Sequence, residues 1–235
     1  MRKKILCIEL IGIWGSGKTT LIRNVNSLLN DSGVSSMCYD DFVVLRRRQR
    51  YFEGFLYAIT SSLAFSKFFY FLVKIFIKLR PFDKFQFEIF LTFVKVYLAK
   101  RILLSKNPDV LIWEGDFHLL TMFIKMKKLS TKDLLAASGV SKNNHHILLP
   151  VFINVADSVA KNRVIADQNS GFFRFSNVDI ELLDERYKYV TDNQSYLTQT
   201  FNDESIHHAI VKGNNLQEKN SKELFFLINK IRDFL

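Results

Sequence analysis

Residues 12–19 read Gly-Ile-Trp-Gly-Ser-Gly-Lys-Thr, with a lysine and a hydroxyl directly behind closely spaced glycines. Gly12, Gly15 and Gly17 let the backbone curl so that its N–H groups, that of Ser16 included, face inward around phosphate oxygens. Lys18 can reach the β- and γ-phosphates of a nucleotide. The Thr19 hydroxyl can ligate Mg²⁺, and Thr20 follows it into the next helix, whose positive end adds to the anion site. The spacing is a full match to G-x-x-x-x-G-K-[ST], which a chain of this length produces by chance about once in a hundred. ATP and Mg²⁺ are therefore the expected ligands. No N-K-x-D base-recognition motif occurs, which argues against a GTPase.

A phosphate site of this kind needs a second oxygen ligand for the metal. Glu114, directly after the apolar run Val110–Trp113, is the candidate. A carboxylate there can hold a metal-bound water or take a proton from an attacking hydroxyl; the alternative is a solvated loop acid.

These residues require a scaffold that gathers them. Lys4 to Ile11 is nearly all apolar, as a strand buried on both faces would be. From Lys18 to Asn30 the apolar residues Leu21, Ile22, Val25, Leu28 and Leu29 recur at helical spacing, and Gly33 supplies a stop. Val34 to Tyr39 reads as a second strand closing on Asp40 and Asp41. Asp83 and Gln86 have capping-box spacing, flanked by a Phe82–Phe87 staple, and open a helix that runs to Ser105 before Asn107-Pro108. Further strands are predicted at 110–113, 147–155 and 209–212, with helices at 117–139, 158–166, 179–201 and 221–234. Strands alternating with helices give an α/β fold with a parallel five-stranded sheet and helices on both faces. Ligands in such sheets bind at the carboxyl ends of the strands, which brings the loops at 12–18, 40–41, 114–116 and 214–215 to one rim.

The segments GSGKTTL at 15–21, VFINVADSVAKNRV at 151–164 and HAIVKGNNLQEKNSKEL near the end resemble the thymidylate kinase-like group of P-loop kinases. The resemblance implies a P-loop kinase-type sheet within one domain spanning 1–235. It implies ATP-dependent phosphoryl transfer to a small acceptor and a mobile lid at 163–177. Arg163 matches the arginine that precedes the lid, and Arg174 lies within it; both would stabilise the transferring phosphoryl group. Asn214 and Asn215 fall where members contact adenine. Asp40 and Asp41 occupy the place of the acidic base in the related deoxynucleoside kinases, and so compete with Glu114 for that role. Two departures remove positive charge from the acceptor side: Glu114-Gly115 replaces Asp-Arg, and Asp167 replaces a lid arginine. A nucleoside, a sugar or another hydroxyl compound is then the expected acceptor. Arg46, Arg47, Arg48 and Arg50 would bind an acidic one, or form a solvated face. The reading from a different class is a non-kinase P-loop NTPase or nucleotide-gated module, acting at a membrane surface or away from one.

Residues 50–106 form an enlarged, phenylalanine-rich helical insertion. Lys67 and Lys74 interrupt its apolar run, so no charge-free stretch approaches the roughly 20 residues that span a bilayer. Lys67, Lys74 and Lys78 fall within about 40° of one another on a helix. Burial in the domain, burial in a homodimer and contact with an anionic membrane all fit one basic stripe on an apolar helix. The net charge of +10 suits nucleotides or anionic lipid, and no nucleic-acid-binding module is recognisable. Two cysteines, Cys7 and Cys38, cannot make a disulfide framework and are expected as buried, inert thiols in a reducing compartment. The basic and apolar N-terminus runs into the glycine loop where a cleavage site would stand. It reads as a strand, and the expected location is cytoplasmic or membrane-peripheral.

Overall fold

Ile5–Ile11 forms the central strand, β1, and all seven residues are buried because the sheet is covered on both sides. The computed structural model describes residues 4–44, 70, 73, 77, 84–114, 117, 146–169, 180–213 and 217–233. After β1 come α1 (Lys18–Asp31), β2 (Ser36–Cys38), α2 (Tyr39–Val44), α3 (Lys84–Ser105), β3 (Val110–Trp113) and β4 (His146–Asn154). The order continues with α4 (Asp157–Asn169), α5 (Ile180–Asp203), β5 (Ala209–Lys212) and α6 (Gln217–Arg232). The strands make one five-stranded sheet in the order β2-β3-β1-β4-β5. Every pairing is parallel, with Leu6 opposite Val110 on one side and Ile147 on the other.

Successive side chains of a strand point to opposite faces, and here each face has its own helices. Leu6, Ile8 and Leu10 pack with Leu21, Val25 and Leu29 of α1 and with Leu224 and Ile228 of α6. Ile5 and Cys7 point the other way, against Ala99 and Leu103 of α3, beside Leu111 and Trp113. Farther along that face, Phe152 of β4 meets Phe201 of α5 with ring centroids 6.0 Å apart. A separate cluster of Ile13, Val155, Ala160, Val164, Tyr187 and Val190 packs α4 and α5 against the chain just after β1. The α/β sandwich read from the alternation of elements is the one observed.

Element boundaries differ from the sequence expectation where polar side chains bond to the backbone. β2 is only Ser36–Cys38, and Asp40 and Asp41 sit in the first turn of α2 instead of closing a strand. The cause is a reach-back cap: the Asp41 carboxylate accepts the Cys38 N–H at 2.6 Å, which starts a helix immediately. Helix α6 begins at Gln217, ahead of the expected Ser221, because Asn220 and Ser221 are buried and the Asn220 amide donates to the Lys212 carbonyl at 3.0 Å. Helix α4 runs on to Asn169, so the described part of the candidate lid, 163–169, is helical. α3 ends as expected: Asn107 takes a left-handed φ of 56° and donates its N–H to the Leu104 carbonyl before Pro108.

Phe82 of the staple, Asp83 of the capping box, the expected helix 117–139 beyond Phe117 and most of the apolar stretch 54–79 lie outside the described residues. Tyr70 and Ile77, within that stretch, are 71% and 59% exposed. No helix among the described residues is long and apolar enough to cross a membrane.

Both cysteines are free and buried, as expected. Burial and the neighbouring Asp41 push the Cys38 thiol from 9.0 up to about 11. Because the folded chain holds this proton more tightly, the resulting stability is complete below about pH 9 and is lost as pH rises towards 11. At pH 8 the folded Cys38 thiolate fraction is about 100-fold below that of the unfolded chain. An aromatic disulfide reagent is expected to titrate neither thiol in the native protein and both in denaturant. Rapid native labelling of Cys38 would contradict the packing.

Candidate functional site

Gly17, with φ of 85°, turns the chain out of the loop and into α1, whose first turn carries no acidic residue to neutralise its positive end. Lys18 opens the helix, and its side chain is almost wholly buried. Its ammonium donates to the Gly12 carbonyl (3.1 Å), the Ile13 carbonyl (2.8 Å) and the Ser16 hydroxyl (3.3 Å). The next two carbonyls are held from outside. Tyr187 Oη of α5 donates to the Trp14 carbonyl at 3.0 Å, and Arg163 Nη1 of α4 donates to the Gly15 carbonyl at 3.2 Å. Four successive carbonyls, 12 to 15, thus each accept a side-chain hydrogen bond. A peptide unit is rigid, so fixing its carbonyl also fixes the N–H across it. The curve of the loop is thus fixed by side chains of the chain itself.

The glycines serve this shape. Gly15 has φ of 74°, and a Cβ there would stand 2.2 Å from the Ala160 carbonyl of α4. No side chain fits between the loop and that helix.

Because β3 lies directly beside β1, the residue after β3 comes out next to the loop. Glu114 Oε1 is 3.5 Å from Lys18 Nζ, and its Oε2 is 3.5 Å from the Thr19 hydroxyl. Burial lowers the Lys18 pKa below 10.5, and the Glu114 carboxylate works against that shift. A hydroxyl and a carboxylate converging beside a phosphate loop are hard oxygen donors that fit Mg²⁺, which takes few protein ligands and completes its shell with phosphates and water.

The other carboxylates are engaged elsewhere. Asp40 pairs with Arg23 Nε on the exposed side of α1 at 2.5 Å, and Asp41 caps α2. The geometry therefore gathers Lys18, Thr19, Glu114 and Arg163 around one loop, with Asp40 and Asp41 held by other partners. Thr20 is exposed on α1. Arg174, Asn214, Asn215 and Arg46, Arg47, Arg48 and Arg50 lie outside the described residues. The chain leading to Asn214 is anchored, since the Gly213 N–H donates to the Asn154 carbonyl at 2.7 Å.

Two residues escaped the sequence reading. Tyr187 has no motif around it, and only the packing of α5 brings it to the loop. Burial, with Asp157 and Asp184 nearby, raises its pKa, so it remains a hydrogen-bond donor through the physiological range. Glu9 had a visible signal, a lone carboxylate within an otherwise apolar strand, because such a residue is rarely buried without a purpose.

Beside the loop, between the end of β4 and one side of α5, lies a groove of about 580 Å³. Its floor includes Ile13 and Val155, and its walls carry amides and hydroxyls such as Asn154, Gln194, Thr198 and Asn202. Asp157 is the single charged side chain among its described lining residues.

The chain belongs to the KAP family P-loop domain, whose family model matches residues 1–228. With the parallel five-stranded sheet, this makes the fold that of a P-loop NTPase. No curated protein matches the chain.

The loop contacts give a graded expectation for nucleotide binding, measured by titration with a fluorescent ATP analogue. Gly15→Ala must part α4 from the loop and is expected to cost more than tenfold in affinity, equivalent to about 1.4 kcal/mol or more. Tyr187→Phe removes one hydrogen bond, worth about 1 kcal/mol, and should cost roughly fivefold. Wild-type affinity in a folded Gly15→Ala protein would separate the loop from nucleotide binding.

Proposed function

We propose that this chain binds ATP with Mg²⁺ and hydrolyses it, as a nucleotide-driven P-loop module. The observation that carries the reading is the convergence of Lys18, Thr19 and Glu114 on a loop whose carbonyls are already held. Preorganised donors aimed at developing charge supply most of the catalysis in phosphoryl transfer, where little covalent chemistry is asked of the protein. The Lys18 ammonium lies in the curve of the loop, placed for the β- and γ-phosphate oxygens of a nucleotide. Thr19 and Glu114 would hold Mg²⁺, which when bound neutralises charge on those oxygens. Glu114, only part buried, also presents a carboxylate oxygen to the attacking water.

A second reading, phosphoryl transfer to a small hydroxyl acceptor, draws on the resemblance to thymidylate kinase-like proteins. One specific observation favours it. The groove next to the loop offers an apolar floor and walls of amides and hydroxyls, with the Asp157 carboxylate as the one charged group among its described lining residues, which suits a nucleoside or a sugar better than a phosphorylated acceptor. In that reading Arg163 and Arg174 act from the lid, Asn214 and Asn215 hold the base of ATP, and Asp40 or Asp41 shares the role of base with Glu114.

ADP formation with and without nucleosides, sugars and lipid-linked glycans separates the two. The expected result is ADP release without an acceptor, greatly reduced in Lys18→Ala. In Glu114→Gln it should fall by about 10²-fold, the usual loss for a missing acid–base group. ADP that forms only with an added acceptor would give the reaction to the kinase reading. Absence of both binding and turnover in the folded wild-type protein would overturn the proposal.

Arg163 provides an independent check. As a holder of the Gly15 carbonyl it acts on the resting loop, so Arg163→Ala should weaken ATP binding by roughly fivefold, the worth of one hydrogen bond. A lid arginine would behave differently, losing about 10²-fold in kcat with ATP affinity nearly unchanged.

A further inference from the structure

We infer that Glu9 is a positioning residue for the nucleotide site. Its buried carboxylate, paired with Lys100 of α3, fixes the backbone at Phe117 and thereby the place of Glu114. The inference rests on the reading of Glu114 as a group serving Mg²⁺ and nucleotide, and deepens it.

Glu9 stands within β1, whose seven residues are all buried, and is 1% exposed, while Lys100 is 4% exposed. Removing two such charges from water is costly, and apolar residues of similar volume would often be as stable or more so. The pair is separated by 3.8 Å, a distance at which attraction is retained without a good hydrogen bond. Stability alone is therefore a poor account of it.

Its placement offers a better one. Glu9 lies opposite Trp113 in the parallel register of β1 and β3, and Glu114 is the next residue after Trp113. The Glu9 Oε1 accepts the backbone N–H of Phe117, three residues past Glu114. The Phe117 ring is fully buried and meets Phe201 of α5 edge-on, with centroids 5.2 Å apart. Glu114 is thus carried on a short span tied at both ends: by Trp113 in the sheet and by Phe117 on Glu9. Lys100 faces the other oxygen of that carboxylate, and so connects the long helix α3 to that span. Sequence distance hides the arrangement, since Glu9 and Phe117 are 108 residues apart.

Two double variants isolate the role, because each removes both buried charges and leaves neither stranded. Glu9→Gln with Lys100→Met retains an oxygen that can accept the Phe117 N–H. Glu9→Leu with Lys100→Met has none. Affinity for a fluorescent ATP analogue is measured with and without Mg²⁺, alongside ADP formation. The Gln variant should stay within about threefold of wild type in every readout. The Leu variant should bind the metal-free nucleotide normally yet need about tenfold more Mg²⁺ and lose about tenfold in kcat at little change in KM, the usual scale for residues that orient a metal ligand. A Leu variant with wild-type Mg²⁺ dependence and kcat overturns the inference, as does a Gln variant that fails alongside it. If the wild-type protein binds nucleotide without regard to Mg²⁺, the reading of Glu114 itself falls, and this inference with it. Should the wild type turn over no nucleotide, the Mg²⁺ dependence of binding still decides.

Discussion

The ammonium of Lys18 is withdrawn from water into the curve of the loop, on two carbonyls, one hydroxyl and the carboxylate of Glu114. A buried cation is tolerated only when its donors are satisfied, and the partners that satisfy it come from separate parts of the chain. Gly12, Ile13 and Ser16 reach the ammonium only because the loop closes tightly between β1 and α1. Glu114 reaches it only because β3 lies next to β1 in the sheet. Much of the remaining architecture can be understood as what keeps these two conditions true.

The outer arc of the loop depends on a different pair of elements. α4 and α5 follow β4 and pack together through Ala160, Val164, Tyr187 and Val190. From there Tyr187 and Arg163 take hold of the Trp14 and Gly15 carbonyls, and Ala160 comes so near Gly15 that a methyl group would not fit. The phosphate site is consequently coupled to the orientation of α4, the helix that leads into the candidate lid. Movement of that helix would alter the loop's hydrogen bonding directly, without an intermediary.

On the face of the sheet where Phe201 of α5 also packs, the buried charges of Glu9 and Lys100 join α3 to the span that carries Glu114. The nucleotide site is therefore braced from two directions: α4 and α5 hold the loop, and α3 holds the segment facing it. α3 is therefore part of the site's support.

Much of this was legible in the sequence for local reasons. Glycine spacing, Lys18 and Thr19 are consequences of backbone geometry and phosphate chemistry within eight consecutive residues, so the loop could be read directly. Apolar periodicity gave the strands and the helices, because both periods follow from covalent geometry. Glu114 could be found from its place after an apolar run. Tertiary structure decided the rest. That Asp40 belongs to Arg23 and Asp41 to a helix cap depends on where α1 and α2 meet, which no spacing encodes. Tyr187 becomes a holder of the loop, and Glu9 a partner of Lys100 and Phe117, through contacts between residues far apart in the chain. A sequence pattern records what one residue and its neighbours can do. Which distant group completes a buried hydrogen bond or ion pair is settled only when the helices close on the sheet.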